Sequence, residues 1–179
     1  VAITAHGRGV IGLKADGTVV AVGGDYTIPR RVLDWTDIVA VDVCGERVVG
    51  LKTDGTVVLA GKILYEDHQP YVSGWTDIVD IAVGYYFAVG LKADGTVVTA
   101  SSQDKIQCDV SDWTDIVAVD SYDEYVVGLK ADGTVVVAGA DGGVFGFEFN
   151  NASGLTDIVA ITAHGRGVIG LKADGTAVD

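Results

Sequence analysis

Methionine is missing from this chain, proline occurs twice, and cysteine twice, at Cys44 and Cys108. Two cysteines at non-equivalent places do not make a disulfide framework, and their spacing leaves a Cys44–Cys108 bridge open but without support. No stretch resembles a signal peptide, and no apolar run approaches the length of a membrane span. Basic residues are few: 12 Lys and Arg stand against 25 Asp and Glu, a formal net charge of −13. A chain so acidic repels phosphate backbones and anionic lipid, so neither nucleic acid nor membrane is expected as a partner. Long segments of 3.6-residue periodicity are also lacking, which argues against helices. The absence of Met and a start inside a repeat read as a processed chain or a window of a longer one.

What is abundant is glycine, 25 residues of it, and it recurs in register. The run Gly-Leu-Lys-Ala-Asp-Gly-Thr-Val-Val stands complete at Gly12–Val20, Gly90–Val98 and Gly128–Val136. It recurs with one change at Gly50–Val58 and is cut short at Gly170–Val178. The steps are 38, 40, 38 and 42 residues, a period that signals a repeat architecture. Apolar residues flank Asp-Gly in each copy, and that dipeptide supplies the positive φ of a tight hairpin turn, so each copy reads as strand–turn–strand. A second marker, Trp-Thr-Asp-Ile-Val, begins at Trp35, Trp75 and Trp113, with Leu155 opening its fourth copy.

The pattern predicts four strands per unit. In the second unit strand A covers Ile38–Val43, strand B Val48–Lys52, strand C Thr56–Gly61 and a weaker strand D lies around Tyr71–Ser73. Strand C is nearly all apolar, as expected when both faces of a sheet are covered. The fold expected is therefore all-β: a β-propeller-like array of four-stranded antiparallel blades, about 40 residues per repeat. It forms one repeat domain over residues 1–179, with four repeats and a partial fifth. The framework Trp is expected to pack between neighbouring sheets, and Gly12 with its equivalents to allow close backbone approach.

Asp-Ile-Val-Ala-Val followed by Val-Gly-Leu-Lys-Ala-Asp-Gly-Thr-Val-Val-Ala-Val-Gly resembles the repeats of the regulator of chromosome condensation family. The resemblance spans essentially the whole chain and implies a β-propeller, seven-bladed in the type member. Gln107–Trp113 resembles the end of short bacterial versions of the repeat. The family's Gly-x-x-His-(Ser/Thr) element before strand B is replaced by Gly7–Val10, Gly45–Val48, Tyr85–Ala88 and Asp123–Val126. Its Asn-x-x-Gly-Gln loop is largely gone, so no exchange-factor or chromatin role carries over.

Differences between the repeats are confined to two segments per unit. One spans the A–B connection: Thr4–Gly9, Asp42–Arg47, Ala82–Phe87 and Asp120–Tyr125. The other is the C–D connection: Gly23–Asp34, Gly61–Gly74, Thr99–Asp112 and Gly139–Gly154. In an up-and-down sheet both emerge on one edge, while the uniform B–C and D–A connections emerge on the other. All seven Tyr, all four Phe, and every His and Arg lie in the variable segments. Aromatics with Arg, Gly and Ser resemble the composition of recognition surfaces. The contact residues expected on that rim are Tyr26, Arg30, Tyr65, Tyr85, Tyr86, Phe87, Tyr122, Glu124, Tyr125, Phe145 and Phe147. The function expected is a non-enzymatic binding module for a protein or glycan. The alternative is a lectin-like propeller with one sugar site per blade; equivalent sites would need equivalent residues in each unit, and the disagreement of the variable segments counts against it.

Catalytic chemistry is not recognisable. His6 and His164 are one repeat position in duplicate, and His68 stands alone in a C–D loop, so no His/Cys/Asp spacing matches a metal site. Asp120, Asp123 and Glu124 read as a solvated acidic patch. Ser101 and Ser102 have no His-Asp partners or nucleophile elbow. No cofactor is implied.

Residues Val1–Thr18 and Val159–Thr176 are identical, variable positions included. The true period is thus 158 residues, four units. Duplicated ends suggest a structural or self-assembling repeat protein as a further reading, since an unpaired edge favours pairing with another chain.

Overall fold

The computed structural model describes residues 2–6, 9–23, 30–61, 72–85, 87–101, 108–139, 152–165 and 167–179. Five antiparallel sheets follow one another along the chain. Sheet 1 holds β1 (Ala2–His6), β2 (Gly9–Leu13) and β3 (Val19–Gly23). Sheet 2 holds β4 (Ile38–Cys44), β5 (Arg47–Lys52) and β6 (Val57–Gly61); sheet 3 holds β7 (Ile78–Val83), β8 (Phe87–Lys92) and β9 (Val97–Ser101). Sheet 4 holds β10 (Ile116–Tyr122), β11 (Tyr125–Lys130) and β12 (Val135–Gly139), and sheet 5 holds β13 (Ile158–His164), β14 (Gly167–Lys172) and β15 (Ala177–Val178). Successive first strands lie against one another, β1 on β4, β4 on β7, β7 on β10 and β10 on β13, so the sheets fan out from them. No helix among the described residues is long and apolar enough to cross a membrane.

Each sheet has three strands among the described residues, not the expected four. Tyr71 lies outside the described residues. Val72 and Ser73, assigned to strand D, lead instead into a turn in which the Trp75 amide donates to the Val72 carbonyl at 3.0 Å. The same three-residue step closes before Trp35, Trp113 and Leu155, as short 3₁₀ turns at Arg30–Asp34 and Ala152–Gly154 and as a simple turn before Trp113. A carbonyl used inside such a turn is not offered to a neighbouring strand.

The turn lets the indole wedge between sheets. Trp35 packs with Ile11, Val48 and Val58, between sheets 1 and 2. A Cβ added at Gly50, Gly90 or Gly128 would come within 2.7–2.9 Å of the ring of Trp35, Trp75 or Trp113. The glycine of each second strand is thus the floor on which an indole lies. Sheet 5 fills the same place with Leu155 and Ile158, both buried.

The Asp-Gly hairpin has a specific form. Gly17, Gly55, Gly95, Gly133 and Gly175 take φ of 77–87°, while the preceding Asp does not enter the positive region. Lys92 donates to the Thr96 carbonyl and Gly95 to the Lys92 carbonyl, a turn closed by one left-handed glycine. The Asp94 carboxylate accepts from the Thr96 amide at 3.0 Å and the Thr96 hydroxyl at 2.6 Å. Each turn then grips the next sheet. Ile38, Ile78, Ile116 and Ile158 donate their amides to the carbonyls of Gly17, Gly55, Gly95 and Gly133 at 3.0–3.1 Å. The residue before each of these is an aspartate, Asp37, Asp77, Asp115 or Asp157, held at φ of 61–62°.

Gly95→Ala should therefore lose stability twice, by strain at positive φ and because its Cβ would meet the Asp115 backbone at 3.3 Å. A loss of about 1–2 kcal/mol or more is expected from the strain alone. Gly74→Ala, whose Cβ meets nothing within 4 Å, should be nearly neutral. Urea unfolding of the two variants makes the comparison, and equal losses would remove the turn from this account.

Candidate functional site

Pairing registers set the two edges of the stack. Arg47 pairs with Gly61, Phe87 with Ser101 and Tyr125 with Gly139, so the A–B turns and the ends of the third strands share one edge. The Asp-Gly turns and the Asp-Ile corners share the opposite edge, where they bond to each other.

On the variable edge, the A–B turns of sheets 2, 3 and 4 each contact the next. Arg47 is buried, donates from Nη1 to the Gly84 carbonyl at 3.3 Å, and places its guanidinium 5.8 Å from the Tyr85 ring centroid. The Tyr85 amide donates to the Asp123 carbonyl at 3.0 Å. Tyr125 sends its hydroxyl across to sheet 5, where it accepts from the His164 amide at 3.1 Å and lies 2.6 Å from the carbonyl oxygens of His164 and Gly167, to either of which it can donate. Tyr122 tilts over Tyr125 with ring centroids 6.5 Å apart.

Only part of the expected contact set offers surface here. Tyr85 and Tyr122 are 38% and 37% exposed, and Glu124 beside them is part-exposed. Phe87 and Tyr125 were expected as contact residues, and their side chains are 1% and 6% exposed. Phe87 belongs to the core between sheets 3 and 4, and Tyr125 to that between sheets 4 and 5. Both open a second strand, the position of Arg47, and there a side chain points into the gap between sheets. Arg30 begins the 3₁₀ turn that precedes Trp35. Tyr26, Tyr65, Tyr86, Phe145 and Phe147 lie outside the described residues.

Three carboxylates on the first strands perform a task not read from the sequence. Asp42 accepts from the Val43 amide of its own strand and from the Val83 amide of the next sheet, both at 2.8 Å. Asp120 does the same with Ser121 at 2.7 Å and Ala163 at 2.8 Å. Asp80, two residues earlier in its strand, accepts from Ile81 at 3.0 Å and Val119 at 3.3 Å. Asp120 is therefore a clip between sheets and not part of a solvated patch. Burial pushes the Asp42 carboxyl up to about 6, with the Asp120 and Asp80 charges adding to the effect, and burial raises Asp80 as well. Cys44 and Cys108 are buried and unbridged, with thiols pushed up to about 11 by burial, so neither is a reactive nucleophile. Among the described residues, no group of three His, Cys, Asp or Glu side chains is placed to hold a metal ion.

No protein-family model matches the chain, and no curated protein matches it. Solved structures do. The ectodomain of the Physcomitrella patens receptor kinase CR4 superposes with a TM-score of 0.69 at 16% identity, covering 99% of this chain and 50% of that one. Human WBSCR16 gives 0.66 at 15% identity, covering 95% and 58%. Prp20p from Saccharomyces cerevisiae, the yeast RCC1, gives 0.63 at 17% identity, covering 95% and 55%. The chain thus has an RCC1-like propeller fold, and it spans between half and three-fifths of the length of these three solved structures. The Prp20p structure is described with its binding to Gsp1p and histones, and yeast RCC1 has also been solved with Kap60 bound.

Two outcomes check this description. Tyr125→Phe should cost about 1–2 kcal/mol by taking the hydroxyl from the His164 amide, and Tyr122→Phe almost nothing. Chemical denaturation of the pair decides, and a silent Tyr125→Phe would return that ring to the surface.

Stability should also peak in mildly acid solution. Asp42 is raised above its ordinary 3.8, so its contribution is fully present below 3.8 and is lost as pH rises through about 6. The exposed turn aspartates Asp16, Asp54, Asp94, Asp132 and Asp174 are lowered by their Thr bonds. Their contribution is present above 3.8 and lost as pH falls. Urea midpoints measured against pH should be highest at about pH 4–5, and Asp42→Asn should flatten the fall toward neutrality.

Proposed function

We propose that this chain is a non-enzymatic interaction module that holds a protein partner on the edge formed by its A–B turns. The observation that carries this reading is the division of labour between the edges. The uniform edge repeats because its glycines, aspartates and isoleucines bond one sheet to the next. The other edge carries a different turn sequence in each of sheets 1 to 4, sheet 5 repeating that of sheet 1, and Tyr85 and Tyr122 are 38% and 37% exposed there. A surface whose units differ fits an irregular partner such as a protein better than a repeated small ligand. RCC1-like propellers that bind proteins support the same class of function, and the net charge of −13 favours a basic partner surface.

The test is site-specific photo-cross-linking. A photoreactive phenylalanine analogue replaces Tyr85 or Tyr122, and in a control replaces Val79, which is 54% exposed near the opposite edge. Adducts of one defined mass with a protein of the native host should form at positions 85 and 122 and be competed by unmodified chain. Tyr85→Ala should then weaken that complex by about 2 kcal/mol, roughly thirtyfold, while a chain folded to the wild-type far-ultraviolet spectrum shows that the loss is not unfolding. Adducts concentrated at position 79 would place the interface on the wrong edge.

A further inference from the structure

Two broad apolar faces of the stack lie open. On sheet 1 the face turned away from sheet 2 carries Ile3, Val10, Val20 and Val22, which are 76%, 40%, 39% and 72% exposed. On sheet 5 the face turned away from sheet 4 carries Ile169 and Leu171, 37% and 41% exposed. Elsewhere in the chain these positions are covered. Val48, Ala88 and Val126 stand where Val10 does and are 0% exposed, and Leu51, Leu91 and Leu129 stand where Leu171 does and are at most 3% exposed.

The duplicated sequence shows what each face accepts. Residues 1–18 recur as 159–176, so each open face has a twin that is already seated. Ile161 and Val168, the twins of Ile3 and Val10, pack in one cluster with Val127 and Leu129 of sheet 4. Ile11 and Leu13, the twins of Ile169 and Leu171, pack with Val43 and Val48 of sheet 2. One open face is therefore a back face that fits the front of another sheet. The other is a front face that fits a back.

We infer that a second copy of this chain docks head to tail, the open face of sheet 5 in one copy lying against the open face of sheet 1 in the next. The contact continues the sheet-on-sheet packing that already runs through the molecule. It joins two unlike surfaces, so the interface is heterologous and extends into a ring or an open series according to its rotation. Because each copy carries a net charge of −13, added salt should strengthen the association.

Sedimentation of the full chain at micromolar concentration tests the inference. Wild type should exceed the monomer mass of 18.5 kDa. Val22→Lys and Leu171→Lys, each on an open face, should both sediment as folded monomers with wild-type far-ultraviolet spectra. Mixed together they should form a 1:1 pair, since one contributes an intact sheet 5 face and the other an intact sheet 1 face. Ile3→Lys and Ile169→Lys form a second pair for use if either variant misfolds. A monomeric wild type would overturn the inference. So would a mixture that stays monomeric, or a Leu171→Lys variant that still associates, which would indicate like faces meeting.

Discussion

The hydrogen bond from the isoleucine amide of one corner to the glycine carbonyl of the preceding turn is the contact on which the stack depends. It recurs four times, at Ile38, Ile78, Ile116 and Ile158, with nearly the same length. It needs a glycine without a Cβ, because the aspartate backbone of the corner lies 3.3 Å from where that atom would be. It also needs the aspartate at positive φ, a conformation Asp tolerates better than most residues. A second bond, from Thr53, Ala93 or Ala131 back to the carbonyl of the same aspartate, locks the corner into its own sheet. Asp-Gly-Thr and Thr-Asp-Ile thus form the two halves of one joint.

With one edge fixed in this way, the other edge can vary without loss of the fold. The variation has two layers. Arg47, Phe87 and Tyr125 fill the gaps between sheets at the mouth of the stack, each with a different side chain. Above them Tyr85 and Tyr122 lie partly on neighbouring turns and partly in solvent. Differences at the buried layer change the contact of one turn with the next, and differences at the upper layer change the exposed surface. The carboxylate clips of Asp42, Asp80 and Asp120 add a third set of bonds between sheets, on the first strands.

Much of this was legible from residue order. Strands A, B and C of the second unit fall within one residue of their expected bounds, because apolar residues and Asp-Gly punctuate them clearly. That the Trp packs between sheets and that the strand glycine admits a close neighbour were also legible; that the indole is the glycine's neighbour was not. The fourth strand was not, because a tight turn and a short strand both accept Val72-Ser73 and only the Trp75 amide bond separates them. Phe87 and Tyr125 were assigned to the rim because they differ between units. Position in the pleat, not variability, decides burial, and the first residue of the second strand points inward in sheets 2, 3 and 4. Proximity in sequence puts Asp120 with Asp123 and Glu124, whereas its match to Asp42 in the repeat register marks its role between sheets.

Amide hydrogen exchange at Ile78 and Ile116 tests most directly the claim that the sheets are joined in series by the turn-and-corner joint. These amides donate across the boundary between one sheet's turn and the next sheet's entry. The account predicts that both exchange only on global unfolding, with the same free energy and the same denaturant dependence as the central strand amides of Val89 and Val127. Fast, denaturant-independent exchange at Ile78 and Ile116, alongside protected strand centres, would contradict it and would mean that the sheets open one from another without the joint.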